Sequence, residues 1–537
     1  MKSLLKFAVA VAALAGSLTF AGTALASTFC VPDFSAACKD SGINQKEPDL
    51  NTALSEYGMD GNADTVIIAP GTLTATESFV AVGNDPLTIK GAGPDKTFLT
   101  SSSTGNIFVM RLEDRPGVKM SDLTLVVPAS FPDSGGNGSA AQFEDVEFDR
   151  VNVEIRNPDS DAFSSMLGDN VIRNSRIYPA DGIEPGYAFQ TNGLSGTTTI
   201  IGTSVEAPRY AFVADSKGMR IDVRQSSVAN PSLAGVWASG GGTVDLENTL
   251  IKTSDGAEAV TVDTQPNHPE GSSVSIRSST LVHSGASQNP AIELQVPASL
   301  TAGDATVDVT DSIIRGYDHT WTMWVPIGPG FPSATLNIDH SNFAPTFPDD
   351  SNGTANVEGQ GNINEDPLFA GPDDFHLKPG SPSIDTGDPA STLDTDIEGN
   401  VRPVDGDGNG SKLPDQGAYE YQPPTCATNA PLCPSDKTAP RVSKVKFNFR
   451  RGKGGALKMN LSEAATVKAI FTPLPRKAKH GKKRKVVKLT RRAKAGKLAV
   501  KLGKRKLSPG RYRLTIRATD SAGNESKPLI RRVKAKG

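Results

Sequence analysis

The chain has 537 residues, of which 21% are charged and 6% aromatic, and its formal net charge is −3 at pH 7. A chain of this length predicts two to four domains. The small net charge conceals two opposite parts. Residues 437–537 hold 33 basic and three acidic side chains, whereas residues 1–436 hold 23 basic and 56 acidic ones. This asymmetry excludes one evenly charged body and predicts two bodies with different partners.

The first 26 residues have the pattern of an export signal. Lys2 and Lys6 precede the apolar run 7–20, and small residues follow at 24–26. A signal peptidase recognises this arrangement, so we expect a secreted, surface-associated chain that starts near Ser27. No second apolar run is long enough for a membrane helix, and we expect no integral membrane segment after cleavage.

Four cysteines form two close pairs in the sequence, Cys30 with Cys38 and Cys426 with Cys433. Paired cysteines in an exported chain are typical of disulfides rather than of metal ligands or nucleophiles. We therefore predict two disulfides that each close a short loop.

Seven stretches between residues 170 and 343 share one outline, in which apolar and polar residues alternate, then a small polar residue and Ser or Thr interrupt, and apolar residues resume. Alternation with a period of two predicts strands. The copies are 22 to 33 residues apart, and such a period indicates stacked units. A second set of short strands keeps the same register, giving about three sides per unit. The pattern predicts an all-β solenoid, a parallel β-helix, in preference to unrelated hairpins, a propeller or a sandwich. The seven copies are VIRNSRI (171–177), IIGTSV (200–205), IDVRQSSV (221–228), VDLENTLI (244–251), VSIRSSTLV (274–282), VDVTDSII (307–314) and LNIDHSNF (336–343).

Upstream, DTVIIAPGTL (64–73) and LTIKGAGPDKTFLT (87–100) resemble the first coils of pectin-lyase-like right-handed β-helix proteins. The resemblance covers residues 27–365 and implies the fold alone. Just before it, residues 49–58 have apolar positions at helical spacing, which predicts a short helix capping the first coil.

The segment 366–421 resembles the choice-of-anchor Q segment of bacterial surface proteins. The matching elements include DPLF (366–369), FHL (375–377) and GAYE (417–420). The resemblance implies display at a cell surface. The usual hydrophobic tail or sorting motif does not follow; a basic segment follows instead.

Within this segment, Asp405, Asp407 and Asn409 place oxygen ligands at alternate positions before Gly410. Calcium prefers six to eight oxygen ligands, so the loop is a candidate calcium site. The twelfth position is Gln416 rather than a bidentate Glu, so the match is partial. The alternative is an ordinary polar turn without a cofactor.

Residues 422–440 contain five prolines and form a predicted stiff linker. Residues 441–537 then show about seven short strands, which favours an immunoglobulin-like β-sandwich. SPGRYRLTIRATDSAGNES (508–526) resembles the last hairpin of such domains in secreted bacterial proteins. The basic charge predicts attachment to a polyanion such as an envelope polymer, without specific nucleic-acid recognition.

Alternation places a polar and aromatic stripe on the outside of one strand column. Asp263 and Glu293 are expected on consecutive coils with backbones about 5 Å apart, a spacing that a paired-carboxylate glycoside hydrolase could use. The alternative is that these acids are simply solvated. The catalytic candidates are Asp215, Asp263 and Glu293, and the substrate-binding candidates are Gln190, Trp237, Tyr317, Trp321 and Trp324.

The sequence favours binding over catalysis. The motifs of polygalacturonases of this fold are absent apart from Asp373-Asp374, and no lysine or arginine base of the lyase type lies on the stripe. The main prediction is therefore a surface protein that binds glycans or adheres. A polysaccharide hydrolase or lyase, and a structural spacer held by opposite charges, are the alternatives.

Overall fold

A computed structural model describes most of the chain. The described residues are 26–32, 45–56, 62–81, 85–105, 108–112, 117–131, 138–191, 193, 195–254, 256–285, 287–345, 353–423, 439–475, 484–504, 506–520 and 523–537. The predicted export signal, Cys38, Cys426 and Cys433 lie outside these residues. The two disulfides therefore stay predictions, although Cys30 is fully buried on the first strand. None of the described helices is long and apolar enough to cross a membrane.

Up to Pro423 the chain forms one compact unit, built from three columns of short parallel strands. Each coil adds one strand to each column, and every pairing within a column is parallel. The predicted all-β fold, a parallel β-helix, is confirmed.

The first column contains Thr28–Val31, Asp64–Ile68, Leu87–Lys90, the first halves of Val118–Val127 and Val146–Ile155, Asn170–Arg173, Gly196–Ile201, Met219–Arg224, Thr243–Glu247, Ser272–Arg277, Ala305–Thr310, Ala334–Asp339 and Thr354–Asn356, with Gln45–Lys46 added beside Thr28–Val31. The second column contains Gly71–Ala75, Thr97–Ser101, the second halves of Val118–Val127 and Val146–Ile155, Arg176–Pro179, Ser204–Glu206, Ser227–Ala229, Leu250–Thr253, Thr280–His283, Ile313–Arg315 and Asn342–Phe343. The third column contains Phe79–Val80, Phe108–Leu112, Ser139–Glu144, Asp161–Leu167, Tyr187–Thr191, Tyr210–Ala214, Ala234–Ala238, Glu258–Asp263, Pro290–Gln295 and His319–Trp324.

The interior of the solenoid is filled by the inward residue of each alternating strand. Phe163, Phe189 and Phe212 stack in register on three consecutive coils, with ring centroids 5.4 and 5.7 Å apart. At the amino-terminal end, the helix Leu50–Glu56 buries Leu50 and Leu54 against the core, as the sequence predicted for a cap. Covering the first coil removes an exposed sheet edge, which would otherwise pair with other chains.

The repeated polar interruption is a tight turn between the first and second columns, which we call the Ser/Thr turn. One residue in each turn has a left-handed backbone, with φ between 43° and 53°. Short polar side chains tolerate this conformation best, which explains the small polar residue of the repeat. In the coils from 170 to 343 these residues are Asn174, Gln225, Asn248, Ser278, Asp311 and His340, and Gly202 occupies the same position in a further coil.

The next residue in each turn is a buried Ser or Thr. In five of the seven turns between 170 and 343 it is a serine whose hydroxyl links two coils. The Thr203 and Thr249 hydroxyls each donate to a carbonyl of their own turn. The Ser312 hydroxyl donates to the Thr310 carbonyl at 2.8 Å and accepts the Ser279 backbone N–H at 3.1 Å. The Ser341 hydroxyl does the same for Ser312. Each of these serine hydroxyls therefore satisfies buried backbone groups of two turns.

Residues 366–421, the flanking module, fold back along the side of the solenoid instead of continuing it. The Asn248 side chain donates to the Thr395 carbonyl at 2.9 Å, and the Thr280 hydroxyl accepts the Ala418 N–H at 2.9 Å. Gly417, with φ of 97°, lies so close that a β-carbon there would come within 2.8 Å of Ile313. The module thus covers the Ser/Thr turns of several coils, and its likeness to an anchor segment stays a prediction.

A buried ion pair holds the flanking module together. The Arg402 Nε donates to Glu420 at 2.8 Å, and both side chains are fully buried. Another guanidinium nitrogen donates to the Asn248 side chain at 3.0 Å, which ties the pair to the solenoid. Breaking such a pair would leave a buried charge without compensation.

The second compact unit is a small antiparallel β domain with its own core. Its described residues form seven strands in two sheets, which agrees with the predicted number. The three-stranded sheet contains Val442–Arg450, Gly454–Leu461 and Gly496–Leu502, and the four-stranded sheet contains Val487–Ala493, Ala465–Pro473, Gly510–Thr519 and Leu529–Ala535. Its immunoglobulin-like character remains a prediction.

We expect Ser312→Ala to lower the free energy of unfolding of the solenoid by about 1–3 kcal/mol, because the buried Ser279 N–H loses its acceptor. Ser227→Ala is the matched control, since Ser227 lies on the outside of a second-column strand. Chemical denaturation of both variants measures the difference. An equal, small effect of both substitutions would contradict a structural role for the hydroxyl ladder.

Candidate functional site

The outer face of the third column carries three aromatic rings on consecutive coils. The Tyr187 and Tyr210 ring centroids are 5.6 Å apart, and those of Tyr210 and Trp237 are 5.1 Å apart at an interplanar angle of 29°. All three rings are half-buried. This aromatic ladder runs along the solenoid axis and offers a surface of the kind on which sugar rings stack.

Beside the ladder, polar residues at one position of successive coils form what we call the acidic row. Its members are Asp215, Ser239, Asp263, Gln295 and Trp324. Asp263 is paired directly with Gln295, and Gln295 with Trp324. Asp215 and Asp263 lie two coils apart, so their backbones are separated by roughly 9.5 Å, twice the spacing of paired strands.

Each of these two carboxylates has one oxygen left over. The Asp215 Oδ2 accepts the Gln190 side-chain N–H at 3.3 Å. The buried Oδ1 atoms of Asp215 and Asp263 have no hydrogen-bond partner among the described residues. A buried acceptor without a protein partner is the kind of atom that an ordered water molecule satisfies.

Burial raises the pKa of the Asp215 carboxyl above its usual range, and the negative charge of Asp263 adds to the rise. Burial also raises the pKa of Asp263, although the neighbouring Ser239 and Trp237 side chains partly offset it. A carboxyl group whose pKa is raised keeps its proton closer to neutral pH, which is the property of a general acid.

Two further acids, Glu258 and Glu293, lie on the neighbouring third-column strands Glu258–Asp263 and Pro290–Gln295. The Glu258 carboxylate accepts the Asn289 side-chain N–H at 2.6 Å, and burial raises the Glu258 pKa. Glu293 accepts the Trp324 indole N–H at 3.0 Å. Glu293 is paired with Thr261 rather than with Asp263. The expected separation of Asp263 and Glu293 is therefore corrected to a diagonal of about 8 Å, one strand spacing and two residues of rise.

Two of the predicted substrate-binding residues do not reach this face. Trp321 is only 3% exposed and packs in the core near Phe343, so its predicted substrate contact is corrected. The Tyr317 hydroxyl accepts a hydrogen bond from the Thr253 hydroxyl at 3.0 Å, and burial raises the Tyr317 pKa. Tyr317 therefore has a structural contact in place of the predicted one. Trp324 is 49% exposed and does lie on the outer face.

The sequence prediction missed Tyr187 and Tyr210. Strict alternation places each tyrosine on the same side as the phenylalanine two residues later, which faces the core. Two consecutive residues are buried after Tyr187 and four after Tyr210, so the alternation is interrupted at the start of both strands. The signal that could have identified them is the tripeptide Tyr-Ala-Phe, which occurs at 187–189 and again at 210–212.

A separate group of carboxylates lies in the flanking module. Asp385, Asp405 and Asp407 each offer an oxygen, and these atoms lie within 4.8 Å of one another. The buried Asp405 Oδ1 has no partner among the described residues. Asn409, predicted as a ligand, instead donates its side-chain N–H to Asp407 at 2.7 Å, and Asp385 joins the group in its place. Three clustered oxygens, one of them unpaired, fit a hard cation such as calcium.

We expect calcium to raise the unfolding temperature of the first unit if this group binds the ion, because a ligand stabilises the state that binds it. Asp405→Asn should abolish the rise, whereas Asp394→Asn, an exposed acid of the same module, should keep it. Thermal unfolding with calcium or magnesium measures the effect. An unfolding temperature that calcium leaves unchanged would identify the group as an ordinary polar turn.

No protein-family model matches the chain, and no curated protein matches it. The solved structures that it resembles include the catalytic domain of a family 87 α-1,3-glucanase in complex with tetrasaccharides. The sequence identity is 11%, the alignment covers 56% of this chain and 64% of that chain, and the TM-score is 0.32. This chain therefore spans less than two thirds of that domain. A family 6 polysaccharide lyase from Pseudopedobacter saltans is 11% identical, with 64% of this chain and 98% of that chain covered and a TM-score of 0.29. A capsular polysaccharide depolymerase tailspike from an Acinetobacter baumannii bacteriophage has 10% identity, coverage of 87% and 82%, and a TM-score of 0.22. We draw no conclusion about activity from similarities at this level.

Proposed function

We propose that the chain is a glycoside hydrolase that acts on a neutral polysaccharide bound along the outer face of the third column. The observation that carries the proposal is the coincidence of two half-buried carboxyl groups, Asp215 and Asp263, with the aromatic ladder of Tyr187, Tyr210 and Trp237. Aromatic rings supply stacking area for sugars, and the carboxyl pair supplies the acid and base that glycoside hydrolysis needs.

In the proposed reaction we assign the general acid to Asp215, because the charge of Asp263 adds to the burial that raises the Asp215 pKa, and the general base to Asp263. Asp215 donates its proton to the glycosidic oxygen as the bond from that oxygen to the anomeric carbon breaks. Asp263 accepts a proton from the water molecule whose oxygen attacks the same carbon. Two carboxyl groups separated by two coils leave room for this water molecule, an arrangement that predicts inversion at the anomeric carbon.

The charge of the outer face of the third column favours a neutral substrate. The six third-column strands from Tyr187–Thr191 to His319–Trp324 contain no lysine or arginine, and Arg209, just before one of them, pairs with Asp159. A uronate polymer would bring its own carboxylates to Asp215, Glu258, Asp263 and Glu293 without a compensating cation. The same lack of a base disfavours elimination by a lyase.

We expect Asp215→Asn and Asp263→Asn each to reduce polymer cleavage by at least about a hundredfold, because each removes one proton-transfer group. Asp245→Asn is the matched control: burial raises the Asp245 pKa as well, but this residue lies on the first column. Cleavage of neutral glucans and mannans is measured by new reducing ends, and NMR of the first product tests inversion.

The pH dependence gives an independent readout. Activity should fall as pH rises through the raised pKa of Asp215, because the acid loses its proton, and this fall should be absent from the residual activity of Asp215→Asn. Products with unsaturated ends would indicate a lyase and contradict the proposed roles. Equal losses in Asp245→Asn would show a stability effect instead of catalysis.

Glycan binding without turnover is the second candidate function, favoured by the aromatic ladder itself. In that case no polymer is cleaved, but Tyr210→Ala should weaken glycan affinity about three- to tenfold through loss of one stacking ring. Tyr178→Ala, an aromatic residue on the second column, is the control. Affinity electrophoresis in polysaccharide gels measures both, and Trp324→Ala tests how far the binding face extends.

For the rest of the chain we propose export, surface association and attachment through the basic second unit to a polyanion. The support for attachment is the charge of residues 437–537, which contain 33 basic and three acidic residues. A purely structural spacer would instead show salt-sensitive association between chains and no affinity for glycans.

A further inference from the structure

The outer face of the four-stranded sheet in the second unit carries eight basic side chains, together with several threonines and the isoleucines Ile470 and Ile530. Lysine and arginine alternate there with inward apolar residues, and all of the basic side chains on this face are exposed. The basic residues of the face are Lys468, Lys488, Arg492, Arg511, Arg513, Arg517, Arg532 and Lys534.

Four of these residues form a compact square, which we call the basic block. Arg511 is paired with Lys534 across two strands, and Arg513 is paired with Arg532 at the next outward position. Like charges directly opposite each other on neighbouring strands destabilise a sheet. The basic block therefore carries an electrostatic cost that its own strands do not relieve.

The described part of this unit supplies no counter-charge to the basic block. The acidic residues there are Glu463, Asp520 and Glu525, and Glu525 pairs with Arg517 at the other end of the sheet face. No carboxylate among the described residues lies within ion-pair distance of the four block residues. A ligand that carries several negative charges would remove the repulsion.

We infer that the basic block is the binding surface for a linear acidic polysaccharide. Arginine presents a planar fork of N–H donors that matches a carboxylate, and three of the four block residues are arginine. Thr472 and Thr515 lie on the same face beside the block, where their hydroxyls can meet sugar hydroxyls. The inference rests on the proposed attachment role of this unit and names the surface and the partner.

The composition of the face argues against other polyanions. Single-stranded nucleic acid is bound through aromatic rings on which bases stack, and no aromatic side chain lies among the outward residues of these four strands. The described residues of the face belong to sheet strands, without a helix that could enter the major groove of duplex DNA.

The three-stranded sheet of the same unit offers a matched comparison. Its outer face carries Lys446, Lys458, Lys497 and Lys501 in the central part, all exposed. Lys446 is paired directly with Lys458, so this face also has one pair of like charges. On the next pair of strands Lys458 and Lys501 are paired with alanines, Ala499 and Ala456, so the face has one such pair where the basic block has two. Neutralising four residues on either face changes the net charge of the chain by the same amount.

The experiment compares three forms of the full chain on immobilised polygalacturonate at several salt concentrations. The block variant carries Arg511→Gln, Arg513→Gln, Arg532→Gln and Lys534→Gln, and the control variant carries glutamine at the four lysines of the other sheet. The block variant should bind about ten- to a hundredfold more weakly than the parent chain, as expected for the loss of four exposed charge contacts. The control variant should stay within about threefold. Circular dichroism checks that all three forms are folded.

The outcomes separately test the basic block as the binding site, the polysaccharide as its partner and the attachment role of the second unit. Equal losses in both variants would show that net charge governs binding and would overturn the basic block as the site. Tighter binding to single-stranded DNA or to vesicles of anionic lipid than to polygalacturonate, at the same salt concentration, would overturn the polysaccharide as partner. A parent chain that binds none of these polyanions would refute the proposed attachment role itself. Weaker binding by a form with lysine at the three arginine positions would support bidentate recognition of carboxylates.

Discussion

The stacking of one coil on the next through the Ser/Thr turn is the constraint on which the first unit depends. A parallel β-helix buries each coil only against its neighbours, so every coil must present the same strand positions and the same turn. The left-handed residue makes the corner, and the following hydroxyl satisfies backbone groups of two coils, as at Ser279, Ser312 and Ser341. Because strand pairing repeats along the solenoid and five of the seven turns add a serine hydroxyl link, the loops on the other side of the solenoid can vary in length without disturbing the stack.

This regular scaffold also explains how rows of side chains form on the outer face of the solenoid. Successive coils rise by about 4.8 Å, so side chains at one strand position form a row with that spacing. The acidic row is one such row. The aromatic ladder combines the paired Tyr187 and Tyr210 with Trp237, which lies three residues further along its strand. A polysaccharide that lies along the axis would meet one new side chain of the acidic row at every coil. Asp215 and Asp263 are held two coils apart by the backbone pairing of Ala238 and its neighbours, and their separation does not depend on flexible loops.

The two units divide electrostatic tasks between them. The outer face of the third column is acidic, and its six strands from Tyr187–Thr191 to His319–Trp324 contain no lysine or arginine. Such a face suits an uncharged sugar chain. The basic block of the second unit has the opposite property and suits an acidic one. Together the two proposals describe a protein that holds one polymer while it acts on another, and the charge asymmetry in the sequence is consistent with this division. The flanking module, held by the buried pair of Arg402 and Glu420, covers the Ser/Thr turns and leaves the third column open.

The sequence alone determined the solenoid, the position of its turns, the capping helix and the charge of each unit, because alternation, turn chemistry and charge are local properties of the chain. It also identified Asp215, Asp263, Gln190 and Trp237 as outward residues. The tertiary structure decided which outward residues meet. Coil lengths vary, so only backbone pairing sets Asp263 opposite Gln295 instead of Glu293. Trp321 faces the core and Trp324 the solvent because their positions have opposite parity along one strand, and Asp385 reaches Asp405 and Asp407 only through folding of the flanking module.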